Sequence, residues 1–315
     1  VQILDPARIN RVPISPNHET DLLLGFFLST LVALGFIFAI EVLDSTIKKP
    51  TDIMKYKLTI LGIIPSIGHS NKLKVRKNFG SSEKIHRRLI TKEDPRSPIS
   101  EAYRSLRTNM IFTDIEKNVK SILVSSAGPS EGKTTTVANM AITYANLGKK
   151  TLLIDTDLRR PVVHKVLDLH KEPGITNFLS GESDDFKKII KKTEIKNLFA
   201  VTSGIIPPNP SELLGSTKMS NLIDELEKKW DIILFDSPPL VAVTDATMVS
   251  KAIDKIVIVV KVGQTDKKAF EHTIQNLKNV NAPIGGIVLN AVSQNNSYGS
   301  YYYYYQNYNY YGEVK

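Results

Sequence analysis

The sequence contains no cysteine at all, and this absence excludes several kinds of chemistry. Disulfide frameworks, thiolate metal sites and cysteine nucleophiles all need that residue. The six histidines are scattered, without the paired spacing of an imidazole-built metal site. Any metal should therefore be a hard cation held by oxygen atoms. A length of 315 residues with 42% hydrophobic and 23% charged residues is typical of one or two globular domains.

Long apolar runs are also scarce, which argues against a polytopic membrane bundle. The single long run, Leu22–Ile40, has nineteen residues without a charge, between Asp21 and Glu41. At 1.5 Å rise per residue, such a run can span a hydrocarbon core of about 30 Å as a helix. A buried core helix fits less well because the apolar residues surround the whole circumference. A signal peptide would need a basic flank and a cleavage site. The pattern predicts one transmembrane helix, residues 22–42.

The net charge of +9 is concentrated in one part of the chain. Residues 1–42 carry −2, residues 43–100 carry +8 and residues 101–315 carry +3. The basic segment follows the predicted membrane helix, so the positive-inside rule places it in the cytoplasm and residues 1–21 outside. This local excess does not indicate a nucleic-acid partner. It favours equally a contact with an anionic membrane surface and a solvated linker.

Beyond the linker-like stretch that ends near Pro98, short runs rich in Val, Ile and Leu alternate with amphipathic helical stretches. Such alternation indicates an α/β fold with a mostly parallel sheet flanked by helices. The predicted strands are Ser121–Val124, Thr151–Ile154, Leu198–Thr202, Asp231–Phe235, Lys255–Val260 and Ile284–Leu289. The predicted segments are an extracytoplasmic stub (1–21), the membrane helix (22–42), a basic juxtamembrane segment with a linker (43–98), a P-loop domain (99–292) and a C-terminal tail (293–315).

Residues Ala127–Thr134 follow an apolar strand and precede a helical pattern, which is the context that a P-loop requires. Small residues allow backbone N–H groups to converge on phosphate oxygens at the positive end of a helix. Lys133 adds charge at the β- and γ-phosphates, and Thr134 offers a hydroxyl to Mg²⁺. Ala127 stands where the common pattern has glycine. The predicted ATP-binding residues of this loop are Gly128, Pro129, Ser130, Glu131, Gly132, Lys133, Thr134 and Thr135.

Two further strands end in carboxylates, at Asp155 with Asp157 and at Asp236. Ligands of open α/β sheets bind at the carboxyl ends of the strands, so these groups can face the phosphates. Phosphoryl transfer requires neutralisation of phosphate charge and a proton acceptor for the attacking group. The predicted catalytic residues are Lys133, Asp155, Asp157 and Asp236. The candidate metal residues are Thr134, Asp155, Asp157 and Asp236. The spacing alone does not decide whether Asp155 or Asp157 is the base.

The chain ends in a tail where tyrosine is interleaved with Asn, Gln, Gly and Ser. It holds nine of the twelve tyrosines, namely Tyr298, Tyr301, Tyr302, Tyr303, Tyr304, Tyr305, Tyr308, Tyr310 and Tyr311. Exposed phenol groups tethered to a phosphate site are presented to it at high effective concentration. They are therefore candidate phosphate acceptors. A low-complexity terminus, or a surface that stacks on sugar or RNA, is the alternative.

Taken together, these motifs resemble the bacterial tyrosine kinases (BY-kinases) that are attached to polysaccharide co-polymerases. Ala127–Thr134 matches the family's Walker A motif, Leu153–Arg159 its Walker A′ motif and Ile232–Pro239 its Walker B motif. Pro13–Pro16 resembles the proline-rich element before its second membrane helix. Glu101, Arg104 and Arg107 match its oligomerisation motif, for which surface ion pairs are the alternative. The resemblance implies that Asp155 is the base, that Asp157 and Asp236 support Mg²⁺ and that Asn290 contacts adenine.

The resemblance also implies a function and a set of partners. The expected activity is ATP- and Mg²⁺-dependent phosphorylation of the protein's own tail, in trans within a ring that is an octamer in the family, at the plasma (inner) membrane. The expected role is control of capsule or exopolysaccharide polymerisation and export. The expected partners are a co-polymerase membrane domain and a cognate tyrosine phosphatase. A membrane-tethered MinD/ParA-like switch ATPase and a non-catalytic, nucleotide-gated scaffold are the alternatives. Residues 1–72 are either native to the kinase or an activator fragment joined to it.

Overall fold

The computed structural model describes residues 17–66, 89–114, 118–183, 185–241, 245–250 and 252–292, with only the backbone for residues 245–247. The described residues fall into two compact units, with the division between Ser45 and Thr46. The tyrosines of the tail and the proline-rich stretch Pro13–Pro16 lie outside the described residues.

The first unit is a single helix, α1 (His18–Leu43), of 26 residues. None of its side chains is buried, and leucine and phenylalanine are exposed on all sides. Within the described part of the chain, this is the one helix long and apolar enough to cross a membrane. It begins four residues before the predicted span. Its first turn carries Glu19 and Asp21, which are favourable at the positive end of a helix.

The second unit is built around an eight-stranded sheet with the order β1-β8-β7-β2-β6-β3-β5-β4. All neighbouring strands are parallel except β4 and β5, which are antiparallel. The strands are β1 (Ile60–Pro65), β2 (Ser121–Ser126), β3 (Thr151–Asp155), β4 (Lys191–Lys192), β5 (Leu198–Val201), β6 (Ile232–Asp236), β7 (Lys255–Lys261) and β8 (Ile284–Val292). The mostly parallel α/β sheet predicted from the sequence is confirmed.

Helices cover both faces of this sheet. They are α2 (Thr51–Met54), α3 (Ile90–Glu93), α4 (Pro98–Phe112), α5 (Lys133–Asn146), α6 (Val163–Val166), α7 (Ile175–Leu179), α8 (Pro210–Leu214), α9 (Thr217–Glu227), α10 (Asp245–Ser250) and α11 (Lys267–Asn279), with a 3₁₀ turn at Phe186–Ile189. One apolar core contains Leu222 of α9 and Phe270 of α11, and the other contains Leu106 of α4 and Met140 of α5. The central strands β2, β3 and β6 are buried along their whole length, which explains their continuous apolar runs.

Side-chain caps mark where α4 and α11 begin. The hydroxyl of Ser97 accepts a hydrogen bond from the N–H of Ser100, and Pro98 occupies the first turn of α4. Asp266 caps α11 in the same way by accepting from the N–H of Ala269 at 2.8 Å. Such caps satisfy backbone N–H groups that have no partner inside the helix, and each contributes about 1 kcal/mol.

The edge strand β1 was not among the strands predicted from the sequence. It pairs with β8, Ile60 opposite Ile287, and buries Leu61 on the side of α4. The side-chain amide of Asn109 donates a hydrogen bond of 2.8 Å to the carbonyl of Leu61. This bond satisfies a backbone group at the edge of the sheet. Residues 46–66, assigned from the sequence to the juxtamembrane segment, therefore contribute a strand and core side chains to the second unit.

Candidate nucleotide-binding site

The P-loop lies between β2, which ends at Ser126, and α5, which begins at Lys133. Two of its residues have positive φ angles, Ser130 at 61° and Gly132 at 96°. Where residues of positive φ alternate with residues of negative φ, successive N–H groups point into one concave surface, and such a surface binds anions. The hydroxyl of Ser126 donates to the carbonyl of Gly128 at 2.7 Å and fixes the start of the turn. The predicted arrangement of strand, loop and helix is present.

The sheet brings the predicted acidic residues to the same edge as this loop. Strands β3 and β6 are neighbours, and Asp155 stands opposite Asp236 in their register. The hydroxyl of Thr134 donates a hydrogen bond of 2.6 Å to Oδ2 of Asp236. The ammonium group of Lys133 lies 3.0 Å from Oδ2 of Asp157. The lysine, the threonine and the three carboxylates thus form one contiguous polar cluster.

Burial and mutual repulsion set the charge states of this cluster. Burial raises the pKa of Asp236 to about 6, although Lys133 and Thr134 act in the opposite direction. Burial, and then the charges of Asp236 and Asp157, raise the pKa of Asp155 well above its ordinary value. Burial alone would lower the pKa of Lys133, but the neighbouring carboxylates outweigh it and raise this pKa. Lys133 is therefore positively charged, and Asp155 holds its proton to a higher pH than an ordinary aspartate does.

Asp155 and Asp157 have different surroundings. The carboxylate of Asp155 is fully buried and accepts hydrogen bonds from the N–H groups of Val163 at 3.1 Å and Asp157 at 3.2 Å. Asp157 faces the cleft beside the P-loop and accepts from the N–H of Arg160 at 3.0 Å. Asp155 is therefore enclosed by the fold and its backbone donors, and Asp157 is the one that reaches the cleft.

A cleft of about 580 Å³ opens above the loop, a size usual for small-molecule sites. Lys133 and Asp157 lie at its floor with 14% and 4% of their side chains exposed. Its lining contains Pro129, Ser130, Gly132, Lys133, Thr134, Thr135, Asp157, Arg159, Arg160, Val162, Pro238 and Pro239. Most of the residues predicted to bind nucleotide line this cleft.

The oxygen atoms next to the loop fit a magnesium ion. Oδ1 of Asp236 is buried and has no hydrogen-bond partner, and Oδ2 already binds the hydroxyl of Thr134. A carboxylate and a hydroxyl, completed by phosphate and water, form the oxygen ligand set that Mg²⁺ prefers. Among the described residues, no three His, Cys, Asp or Glu side chains form a metal site by themselves. Thr134 and Asp236 are thus the ligands that the protein itself would supply.

Two residues predicted to bind nucleotide contact the loop instead of the cleft. Glu131 is 3% exposed, and its carboxylate accepts a hydrogen bond from the N–H of Gly128 at 3.0 Å. Burial raises the pKa of Glu131 to about 7. The side-chain amide of Asn290 donates to the carbonyl of Glu131 at 2.8 Å. A third side chain that contacts the loop, Gln264, was missed, because an exposed glutamine in a loop belongs to no recognisable motif.

The predicted oligomerisation residues lie on α4 and engage groups within the same chain. Arg104 binds Glu101 at 2.7 Å and also donates to the carbonyl of Pro95 at 2.9 Å. Arg107 is half-buried and donates to the carbonyl of Thr143 in α5 at 2.6 Å. Whether these residues form an interface stays a prediction.

The buried parallel sheet, the loop and its lysine define a P-loop nucleotide-binding protein. Comparison with known proteins narrows this class. Residues 119–285 match a family described as "AAA domain". The chain is 38% identical over 229 residues to the tyrosine-protein kinase YwqD of Bacillus subtilis strain 168, covering 72% of this chain and 95% of YwqD.

A second relative is the tyrosine-protein kinase Etk of Escherichia coli K12, 29% identical over 93% of this chain. The alignment covers 41% of Etk, so the chain spans about two-fifths of that relative. Among solved structures, the chimerical protein CapA2B2 superimposes with a TM-score of 0.68 at 34% identity, over 78% of this chain and 100% of that one.

The chain belongs to the bacterial tyrosine-protein kinases. The family resemblance derived from the sequence motifs is thereby confirmed, as is protein-tyrosine kinase activity as the activity of the family.

Proposed function

We propose that the protein transfers the γ-phosphate of ATP to the tyrosines of its own C-terminal tail, residues 298–311. The observation that carries this proposal is the cluster around the P-loop. Lys133, Thr134 and Asp236 lie where a triphosphate would bind, and Asp155 and Asp157 stand beside them. Kinship with tyrosine-protein kinases makes a phenol oxygen the expected attacking group.

Each group in the site has a separate role in the phosphoryl transfer. The phenol oxygen forms a bond to the γ-phosphorus, the bond to the bridging oxygen of ADP breaks, and the phenol proton passes to a carboxylate. Lys133 and the N–H groups of the P-loop bind the phosphate oxygens. Mg²⁺, held by Thr134 and Asp236, supplies further neutralisation of phosphate charge when it is bound.

Asp155 and Asp157 are the two candidates for the proton acceptor. A base works best when its pKa lies near the working pH, which favours Asp155 with its raised pKa. The position at the cleft favours Asp157. Asp157 is paired with Lys133 at 3.0 Å, and a bound phosphate would compete for that lysine.

Location and partners follow from the same proposal. Helix α1 is long and apolar enough to cross a membrane, which supports a place for it in the plasma membrane. The proposal puts the unit that begins at Thr46 on the cytoplasmic side. The protein works in a ring with a polysaccharide co-polymerase, and a tyrosine phosphatase reverses the reaction.

Glu101 is exposed and suits a test of the ring, because Glu101→Ala removes no contact to another helix. Arg107→Ala would also break the bond to α5.

The test is to map phosphotyrosine by mass spectrometry after incubation of the purified chain with Mg-ATP. The proposal predicts phosphate on the tail of the wild type and none in Lys133→Met, which loses the phosphate-binding charge. Lys149→Met is the matched control, because Lys149 is exposed and lies beyond the far end of α5. A switch ATPase would hydrolyse ATP and leave the tail unmodified. A scaffold would bind nucleotide with neither turnover nor phosphotyrosine. Either result would contradict the proposal.

A further inference from the structure

Two side-chain amides contact the P-loop, and neither residue lines the cleft. Nε2 of Gln264 donates to the carbonyl of Pro129 at 3.2 Å, and Nδ2 of Asn290 donates to the carbonyl of Glu131 at 2.8 Å. Gln264 belongs to the loop after β7, and Asn290 lies near the end of β8. Two separate elements thus contact alternate carbonyls of one short loop.

The geometry of the peptide bond gives these contacts a consequence for phosphate binding. In a trans peptide the carbonyl of one residue and the N–H of the next point in opposite directions. A carbonyl of Pro129 held outward therefore turns the N–H of Ser130 inward. The carbonyl of Glu131 does the same for the N–H of Gly132. Inward N–H groups are what a P-loop presents to phosphate oxygens.

The backbone of the loop needs such support. Ser130 has a φ of 61°, a conformation that residues with a side chain rarely adopt. Backbone conformations of this kind persist only where surrounding contacts hold them. At Gly132 the approach is so close that an added Cβ would lie 2.2 Å from Nδ2 of Asn290. The amide of Asn290 is thus packed directly against the loop.

The amide of Asn290 and the backbone of the loop that carries Gln264 are themselves held in place. Oδ1 of Asn290 accepts a hydrogen bond from the N–H of Ala291 at 2.9 Å, which sets the orientation of its amide. The carbonyl of Asn290 accepts from the N–H of Val262 at 3.1 Å, so the strand end and the loop that carries Gln264 are joined. That loop is paired with Ile47 through two backbone bonds, to Gly263 at 2.9 Å and Thr265 at 2.8 Å. The N–H groups of Ser130 and Gly132 are thereby fixed in advance, and groups fixed in advance lose little freedom when a ligand binds.

We infer that Gln264 and Asn290 are positioning residues that hold the carbonyls of Pro129 and Glu131 outward, so that the following N–H groups face the phosphates. This inference rests on the proposed function only in requiring that the cleft binds a polyphosphate. It gives Asn290 a role different from the adenine contact that the family resemblance implies. Because the effect acts on phosphate alone, it should not depend on which base the nucleotide carries.

The experiment compares binding of magnesium tripolyphosphate, Mg-ATP and Mg-GTP to the full chain in detergent by isothermal titration. The variants are Gln264→Met and Asn290→Leu, which remove the donors at similar side-chain size. Gln275→Met is the control, because Gln275 is an exposed glutamine on α11, away from the loop. Loss of one hydrogen bond should weaken the binding of tripolyphosphate and ATP by the same factor, about 3- to 10-fold. The value of kcat/KM for ATP should fall by about the same factor, because the loop N–H groups contact the phosphates both in the bound nucleotide and during transfer.

Each outcome bears on a different claim. If the wild type binds none of the three ligands, the proposed nucleotide site is wrong, and this inference falls with it. If the wild type binds and both variants match Gln275→Met, the positioning role is overturned while the proposed function stands. If Asn290→Leu weakens ATP but not tripolyphosphate, Asn290 contacts the base and its positioning role is overturned. Gln264 is exposed, so Gln264→Met should fold even if the substitution at Asn290 does not.

Discussion

The hydroxyl of Thr134 donates a hydrogen bond of 2.6 Å to the carboxylate of Asp236, and so joins the first turn of α5 to the end of β6. Asp236 is completely buried, and its other oxygen has no partner. The bond therefore supports the fold and also holds together the two oxygen ligands that the protein would offer to Mg²⁺.

Thr134→Val and Thr134→Ser together test both roles of this hydrogen bond, in stability and in Mg²⁺ binding. Valine has a similar shape but leaves both oxygens of Asp236 without a partner, which should cost about 1 to 3 kcal/mol of stability. It should also abolish the gain in ATP affinity that Mg²⁺ gives the wild type. Serine keeps the hydroxyl and should retain most of the stability and most of the gain in ATP affinity that Mg²⁺ gives. Titration of ATP with and without Mg²⁺ measures the difference. Equal Mg²⁺ dependence in the wild type and Thr134→Val would exclude Thr134 as a ligand.

The buried carboxyl of Glu131 should make stability depend on pH. Its pKa is raised from 4.5 to about 7, so between these values the folded protein holds a proton that the unfolded chain releases. The free energy of unfolding should therefore fall as pH rises through this window. Glu131→Gln lacks this fall and should be more stable than the wild type at pH 8, by about 1 to 3 kcal/mol.

Urea unfolding at pH 5 and pH 8 can measure this effect by the fluorescence of Trp230, the single tryptophan, which is 6% exposed. Glu225→Gln is the control. Glu225 is exposed, and its bonds with Lys228 and Lys229 lower its pKa. No gain at pH 8 from Glu131→Gln would show that the Glu131 carboxyl is ionised without penalty.

The close approach of β1 to α4 gives a steric prediction. A Cβ added at Gly62 would lie 3.1 Å from Cβ of Leu106, which is fully buried. Gly62→Val should therefore force the helix away from the strand and cost about 1 to 3 kcal/mol, and Gly62→Ala should cost less. The same urea experiment measures both. Wild-type stability in Gly62→Val would mean that α4 does not pack on β1 in this way.

The proton acceptor can be identified from the pH dependence of kcat. Asp155→Asn should lower kcat by about 100-fold or more and remove the fall in kcat that the wild type shows on the acidic side. The reason is that burial and neighbouring carboxylates raise the pKa of Asp155. Asp157→Asn should bind ATP at least as tightly as the wild type, because it removes the carboxylate that competes with phosphate for Lys133, and it should keep the acidic limb. The reverse pattern would assign the proton to Asp157.

Much of the fold could be predicted because the central strands are buried on both faces, so each of the six predicted strands stands out as an apolar run. Strand β1 was missed because Ile60–Pro65 follows a basic segment, contains Gly62, and pairs with a strand more than two hundred residues later in the chain. The P-loop and the strand-end carboxylates were found from their spacing. The contacts of Gln264 and Asn290 depend on tertiary packing, which no local pattern encodes.

The central claim is tested most directly by following the phosphate itself. The purified chain is incubated with Mg²⁺ and ATP that carries heavy oxygen in its γ-phosphate, and tail peptides are then analysed by mass spectrometry. The account predicts heavy phosphate on tyrosines among residues 298–311 in the wild type, and none in Lys133→Met. Heavy phosphate released only as inorganic phosphate, with the tail unmodified, would contradict it.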